Sequence, residues 1–279
     1  MPASYEDRLL RVIDYIHANL DGDLSLDALA DVAAMSRFHW HRVFAAMYGE
    51  TCASAIRRIR LNRAAGALIE SDAPVAKIAR QCGYANTGSF IRAFGEAYGH
   101  PPEAFRRNGK RLPLLFQPQK GEYPMFPIET REDPARKVLA LEHIGPYIEI
   151  GAGFEKLGAI SATRDFWQDV ESMVGIFYDD PDATPPEELR SHAGLIMKRA
   201  DFIAPEELET LTIAPGRVAV MHFKGPYAGL HTAYKHLFGD WLPKSGEELR
   251  DAPPYEIYLN TPRDVGPDDL LTDICVPLQ

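Results

Sequence analysis

Residues 75–99 read VAKIARQCGYANTGSFIRAFGEAYG, and this stretch determines the fold predicted for the N-terminal part of the chain. Apolar residues recur at helical spacing on both sides of 83–86, Gly-Tyr-Ala-Asn, which is a turn sequence. Residues 26–49, LDALADVAAMSRFHWHRVFAAMYG, repeat the pattern. The two stretches align at an offset of 49 before the turn and 50 after it, because the second turn is one residue longer. The repeat predicts two tandem helix-turn-helix units.

The sequence around these units is also helical in character. Apolar residues at Leu9, Val12, Ile16 and Leu20 have the spacing of one helix face. Residues 52–69 contain no proline and predict one linking helix of about 18 residues, or ~27 Å. That length is close to one turn of DNA, so both units could enter adjacent major grooves.

Charge separates the chain into two parts. Of its 279 residues, 1–112 carry 15 lysines and arginines against 12 acidic residues, whereas 113–279 carry 15 against 28. The basic excess predicts a polyanionic partner for the first part, and the acidic excess suits a cation, although it also suits a solvated surface. The three cysteines lie far apart, and neither a membrane span nor a signal segment is evident. We therefore expect a cytoplasmic protein without metal or cofactor and without a membrane partner.

The second helix of each unit carries residues suited to reading DNA. Arg42 could bind the O6/N7 edge of guanine bidentately, and Phe38 could contact a thymine methyl group. The alternative is that these arginines form only a solvated helix face. The candidate DNA-binding residues, expected on the outward faces, are Arg37, Phe38, His41, Arg42, Thr87, Ser89 and Arg92.

A proline-rich linker, residues 108–127, precedes a second internal repeat. Val138 to Leu157 aligns with Val218 to Leu237 at an offset of 80, and both contain Gly-Pro-Tyr. Two further strands follow each copy: 174–178 and 194–197 in the first, 255–259 and 273–276 in the second. The repeat predicts an α+β domain of duplicated β-α-β-β units, an antiparallel sheet with helices on one face. Its ligand cleft would lie between the halves.

Glu256 is the candidate centre of that cleft. Alternation along a strand places Glu256 and Tyr258 on one face, and Tyr255, Ile257 and Leu259 on the other. The first repeat has Gly175 where the second has Glu256, which predicts an asymmetric pocket suited to an apolar cation. Two alternatives stay open: Glu256 bonds a tyrosine at an exposed strand edge, and the Gly-Pro-Tyr tyrosines only pack at turns. The candidate ligand-binding residues are Glu256, Tyr258, Trp241, Tyr147, Tyr227 and Phe177.

The N-terminal part resembles the DNA-binding domain of the AraC/XylS family of bacterial transcription regulators over residues 5–107. The first unit matches at Leu29-Ala30, Ala33 through Ser36, Phe44 and Gly49. The second matches at Ile78-Ala79 through Gly83-Tyr84, then at Phe90, Arg92, Phe94, Gly99 and 101–106, Pro-Pro-Glu-Ala-Phe-Arg. The family often has tryptophan and glutamine where this chain has Phe38 and His41, so the operator does not carry over.

Residues 126–279 resemble the gyrase-inhibitor-like (GyrI-like) domain, which also serves as the effector-binding part of multidrug-sensing regulators. The matches include 143–147, His-Ile-Gly-Pro-Tyr, and 223–227, Phe-Lys-Gly-Pro-Tyr, with 241–243, Trp-Leu-Pro, and 255–258, Tyr-Glu-Ile-Tyr. The resemblance implies that Glu256 is the ligand-binding glutamate and Trp241 the central aromatic. It further implies hydrophobic, often cationic ligands, and hydrolysis in some stand-alone relatives.

These observations predict a non-enzymatic, sequence-specific DNA-binding transcription regulator. Residues 1–107 would form the tandem helix-turn-helix domain, 108–127 the linker, and 128–279 the GyrI-like domain that senses a small hydrophobic, cationic effector. The partners would be double-stranded promoter DNA and the effector, with RNA polymerase as a further candidate. Two alternatives remain: a GyrI-like hydrolase with an accessory DNA-binding domain, and a ligand-independent regulator that acts by protein contact.

Overall fold

The computed structural model describes residues 4–108 and 125–279. The chain divides into two compact units: Met1–Ala34 with Tyr48–Lys120, and Met35–Met47 with Gly121–Gln279. Residues 35–47 therefore group with the second unit, although the repeat places them in the first helix-turn-helix. Most of the predicted linker lies outside the described residues.

The described N-terminal part is helical. Its helices are α1 (Tyr5–Ala18), α2 (Leu26–Ala33), α3 (Trp40–Tyr48), α4 (Cys52–Glu70), α5 (Val75–Gln81), α6 (Thr87–Tyr98) and α7 (Pro102–Asn108). The long linking helix is confirmed as α4, with 19 residues. α3 starts at Trp40 and is preceded by a turn at residues 37–39.

The second helix-turn-helix is built from α5 and α6 in the first unit. Buried residues of α4, α5, α6 and α7 form one apolar core, which includes Leu61, Ile78, Phe90, Phe94 and Phe105. The turn requires a glycine at position 83, where φ is +76° and a Cβ atom would lie 2.1 Å from the Leu20 carbonyl oxygen. The side chain of Asn86 accepts a hydrogen bond from the Ser89 amide (3.0 Å) and caps α6.

The second unit contains an eight-stranded antiparallel sheet with strand order β1-β6-β8-β7-β3-β4-β2-β5. Its strands are β1 (Ile128–Asp133), β2 (Arg136–Ile144), β3 (Val170–Phe177), β4 (Arg190–Met197), β5 (Glu209–Ile213), β6 (Gly216–Lys224), β7 (Tyr255–Tyr258) and β8 (Leu271–Pro277). The predicted duplication is confirmed: β2, β3 and β4 correspond to β6, β7 and β8. The sequence pattern did not predict β1 and β5, which pair with β6 and β2 at the two sheet margins.

The sheet is curled and has helices on one face, as predicted. α8 (Gly151–Thr163) packs on β2 and β4 through a buried cluster that contains Leu139, Leu157 and Leu195. In the second repeat, α9 (Leu230–His236) continues through a π-helical turn, Leu237–Trp241, into α10 (Leu242–Ser245). The opposite sheet face carries its own apolar cluster, with Val138, Val174 and Ile257 among its members.

Candidate functional site

The two repeats meet where β3 pairs with β7, and Glu256 stands at this junction. It lies directly opposite Gly175 in the register of the two strands, as the repeat alignment predicted. Glu256 and Tyr258 face the helices, whereas Tyr255 and Ile257 belong to the cluster on the opposite face. The second repeat therefore has a carboxylate at the position where the first repeat has a glycine.

The Glu256 carboxyl group is buried and held by two tyrosines. Tyr258 donates a hydrogen bond to Oε2 (2.9 Å), and Tyr234 on α9 donates one to Oε1 (3.0 Å). Burial raises the pKa of Glu256 to about 7, while the two hydrogen bonds and the charge of Arg42 act in the opposite direction. The group therefore lies at the midpoint between its charged and neutral forms near neutral pH. Because Glu256 is only 4% exposed, the alternative of an exposed strand edge is wrong.

Glu256 lines a cavity of about 1420 Å³ within the second unit. Five of the six residues predicted to bind a ligand line this same cavity: Glu256, Tyr258, Tyr147, Tyr227 and Phe177. The Tyr227 ring packs edge-on against Tyr258, with centroids 5.6 Å apart, and Tyr147 does the same against Phe177 at 4.8 Å. The hydroxyl of Tyr147 donates a hydrogen bond to the Asp179 carbonyl (2.9 Å), which leaves its ring as the cavity wall.

Trp241, the sixth predicted residue, is not among those that line the cavity. The cavity face of α9 runs through Tyr234 to Phe238, and Trp241 would share that face if the helix stayed α-helical. The π-helical turn at Leu237–Trp241 has more residues per turn, so it rotates Trp241 away. The expectation that Trp241 walls the pocket is therefore wrong.

Tyr234 and Phe154 are among the cavity residues that the sequence analysis did not predict as ligand contacts. They occupy equivalent helix positions in the two repeats, 80 residues apart. Phe154 packs edge-on against the Tyr258 ring at 5.4 Å, while Tyr234 reaches Glu256 with its hydroxyl. The sequence did contain a signal for this contact. The repeat that carries Glu256 has a tyrosine, Tyr234, where the other repeat has a phenylalanine, Phe154.

The segment 35–47 packs within the second unit and carries four predicted DNA-binding residues. Arg37 is exposed and Phe38 is half-buried. The guanidinium carbon of Arg37 lies 4.9 Å from the centre of the Phe38 ring. His41 and Arg42 are only 5% and 9% exposed, so the expectation that they face outward is wrong here. Both side chains are covered by the second unit: His41 lies 3.7 Å from the Asp180 carboxylate, and the guanidinium of Arg42 donates to the Asp179 carbonyl.

The environment of this segment keeps its histidines neutral. Burial, followed by the nearby charge of Arg42, lowers the pKa of both His39 and His41 to about 3. His39 Nε2 lies 2.8 Å from the Ala252 carbonyl oxygen, and Ser36 donates a hydrogen bond to Asp251 (2.8 Å). Both neutral imidazoles therefore act here as packing residues.

The three predicted residues of the second helix-turn-helix lie on one stretch of α6. Ser89 and Arg92 are exposed, and Thr87 is half-buried. Ser89 and Arg92 line an open groove of about 630 Å³ together with Arg57 and Arg60 of α4. Three guanidinium groups line this groove with the carboxylate of Glu96, which pairs with Arg57 (2.6 Å). The groove keeps a net positive charge, which is the arrangement expected for phosphate contacts.

Across residues 4–108 and 125–279, no three histidine, cysteine, aspartate or glutamate side chains are grouped to hold a metal ion. None of the helices in the same ranges is sufficiently long and apolar to cross a membrane.

Comparison with known proteins gives a match for both parts of the chain. Residues 126–279 match the GyrI-like small molecule binding domain, and residues 29–108 match a helix-turn-helix domain. The DNA gyrase inhibitor of Yersinia enterocolitica is 28% identical over 144 residues, which are 50% of this chain and 90% of that protein.

Two further relatives each match part of the chain. The uncharacterized HTH-type transcriptional regulator YbfP of Bacillus subtilis (strain 168) is 35% identical over 108 residues, 39% of this chain and 37% of YbfP. The right origin-binding protein of Escherichia coli (strain K12) is 30% identical over 167 residues, 56% of this chain and 53% of that protein. The matched region thus spans only about a third to a half of these two relatives. The chain belongs to the GyrI-like small molecule binding domain family and carries, ahead of that domain, a helix-turn-helix domain of the AraC type.

Proposed function

We propose that the protein is a DNA-binding transcription regulator whose second unit binds a small hydrophobic cation at Glu256. Promoter DNA would be read by exposed residues of α6, and occupancy of the cavity would change DNA affinity or contact with RNA polymerase. Such a regulator acts in the cytoplasm. The proposed domain limits are those predicted from the sequence: 1–107 for DNA, 108–127 for the linker and 128–279 for the effector.

One observation carries the effector half: a buried carboxylate lies in an aromatic cavity large enough for a small molecule. Ionising Glu256 in this apolar site is costly, and a bound cation would offset that cost. The rings of Tyr147, Tyr227 and Phe177 would supply dispersion and cation–π contacts to the same guest. A hydrophobic cation satisfies both the charge and the aromatic walls, whereas an anion would be repelled.

The DNA-binding half rests on the basic groove of α6 and α4 and on the helix-turn-helix match. Exposed Ser89 and Arg92 stand within the first two turns of α6, the part of a recognition helix that contacts base edges. YbfP is named a transcriptional regulator, and the Escherichia coli relative is named an origin-binding protein. Both names describe DNA-directed proteins, which supports the same role for this chain.

The effector proposal is tested with two hydrophobic ions of similar shape and opposite charge, tetraphenylphosphonium and tetraphenylborate. Titration calorimetry on the full chain should show binding of the cation only, and Glu256→Gln should weaken it about tenfold or more. Glu155→Gln is the matched control, because Glu155 also lines the cavity but is exposed, so its loss should change little.

Three results would overturn this assignment. Equal binding of both ions would show that the cavity does not recognise charge. Equal cation affinity in the parent protein and Glu256→Gln would show that the carboxylate does not bind the cation. Turnover of a bound ester or amide that requires Glu256 would favour the hydrolase alternative, since a carboxylate with a pKa near neutrality is suited to general base catalysis.

A further inference from the structure

A cationic side chain of the protein itself lines the effector cavity beside the proposed ligand site. Arg42, with Ala45 and Ala46, belongs to the cavity lining, and its guanidinium carbon lies 5.7 Å from the centre of the Tyr234 ring. The hydroxyl of that tyrosine donates to Glu256. The charge of Arg42 also lowers the pKa of Glu256, which shows that the two groups interact electrostatically. Arg42 thus makes the type of contact proposed for a ligand.

The same residue is a predicted reader of DNA, and it cannot be both buried and available. Arg42 and His41 are almost fully buried in the second unit, so neither could reach a base edge in this arrangement. Their partners are fixed groups of the second unit, the Asp179 carbonyl and the Asp180 carboxylate. DNA reading by this segment therefore requires it to leave the cavity.

The arrangement in which residues 35–47 pack on the rest of the second unit, called docked below, also carries an unfavourable free-energy contribution. Nη1 of Arg42 is buried and has no hydrogen-bond partner among the described residues. An unsatisfied buried donor on a charged group opposes the contacts that hold the segment in place. The docked arrangement is thereby poised for displacement by a guest that fills the cavity better.

We propose that residues 35–47 act as a built-in competitor of the effector: Arg42 lies against the Tyr234 ring at the cavity wall, and a bound hydrophobic cation repels it, displaces the segment and frees it to bind DNA. This inference rests on the proposed effector site. It makes cation binding and DNA binding mutually favourable, because both require the undocked segment. Only molecules in which the segment has left the cavity wall would bind the cation fully. The apparent dissociation constant is therefore the intrinsic constant divided by the fraction of such molecules.

Gly239 offers a way to undock the segment without changing a residue that lines the cavity or reads DNA. It lies in the π-helical turn, and a Cβ atom there would stand 2.8 Å from the Ala46 carbonyl oxygen. Because that neighbour is backbone, Gly239→Ala must push the segment away. Gly266→Ala is the matched control, since nothing lies within 4 Å of a Cβ atom at Gly266.

Exposure of Arg42 is measured directly by its rate of modification with phenylglyoxal, followed by mass spectrometry of the full chain. Exposed Arg37 on the same segment serves as the internal reference. We expect tetraphenylphosphonium to accelerate modification of Arg42 relative to Arg37. We expect Gly239→Ala to do so without ligand, and to bind both tetraphenylphosphonium and a labelled random-sequence DNA duplex about tenfold more tightly. Gly266→Ala should behave as the parent protein.

The outcomes separate this inference from the function on which it rests. If the cation binds the parent protein but leaves Arg42 protected, and Gly239→Ala binds it no more tightly, the competition is overturned and the effector site stands. If the cation binds no variant, the effector site is overturned, and the competition falls with it even where Gly239→Ala exposes Arg42.

Discussion

Gly175 and Glu256 lie directly opposite each other on adjacent strands, at equivalent positions of the two repeats. A Cβ atom at Gly175 would stand 2.8 Å from the Phe177 ring and 2.9 Å from the Tyr258 hydroxyl oxygen. That hydroxyl group donates a hydrogen bond to Glu256. Because Gly175 has no side chain, there is room for the Tyr258 hydroxyl group that hydrogen-bonds to Glu256.

Gly175→Ala tests this relationship. The added methyl group must displace the Phe177 ring or the Tyr258 hydroxyl, which should lower the free energy of unfolding by about 1–3 kcal/mol. The affinity for tetraphenylphosphonium should fall because the carboxylate loses its donor. Urea unfolding and calorimetry measure the two effects, with Gly266→Ala as the control. Unchanged stability and affinity would show that the glycine is dispensable.

The pH dependence of cation binding follows from the pKa of Glu256, which is about 7. Because the cation requires the carboxylate, its affinity should fall about tenfold per pH unit below neutrality and level off above it. The midpoint is found by calorimetry across this range. Glu256→Gln should bind weakly at every pH, and a parallel slope in that variant would assign the titration to another group.

Stability without ligand should change with pH in the opposite sense. The folded state raises the pKa of Glu256 from an ordinary 4.5 to about 7, so between these values it binds more protons than the unfolded state. The contribution of Glu256 to stability is therefore fully present below pH 4.5 and is lost as pH rises through 7. The difference in unfolding free energy between the parent protein and Glu256→Gln should show this decline. A constant difference would contradict it.

Tyr258→Phe should weaken cation binding at pH 7. Its hydroxyl stabilises the charged form of Glu256, so its removal should raise the pKa of Glu256 further and move the binding midpoint to higher pH. A hydrogen bond to a charged group contributes about 1.5–3 kcal/mol, which corresponds to at least a tenfold loss. Tyr227→Phe keeps the ring that packs on Tyr258 and should change the midpoint little. Equal midpoints in both variants would argue against the hydroxyl.

Arg92→Ala should reduce discrimination between DNA sequences. Arg92 is exposed on α6, and loss of a base contact should cost about 1–3 kcal/mol at one base position. Arg80→Ala removes an exposed arginine from the preceding helix and should leave base preference unchanged. Selection of binding sites from a random duplex pool compares the variants. An unchanged base preference in Arg92→Ala would show that Arg92 does not contact a base.

Several features could be predicted because they depend on local periodicity. The repeat offsets predicted the helix-turn-helix of α5 and α6 and the six central strands, and strand alternation placed Glu256 with Tyr258. The margin strands β1 and β5 escaped because edge strands bury few side chains and so carry little alternation. Trp241 was misplaced because a π-helical turn changes the helical phase without an evident sequence signal.

The sequence by itself determined the two-part organisation, the duplicated sheet and the position of one acidic residue at its centre. These features follow from spacing along the chain, since helices and strands repeat at fixed periods. The tertiary structure alone decided which other groups surround that acid: the hydroxyl of Tyr234, the space above Gly175, and the nearby charge of Arg42. Such contacts join residues far apart in the chain, and their burial sets the pKa of Glu256. No local pattern specifies them, because burial is a property of the packed fold.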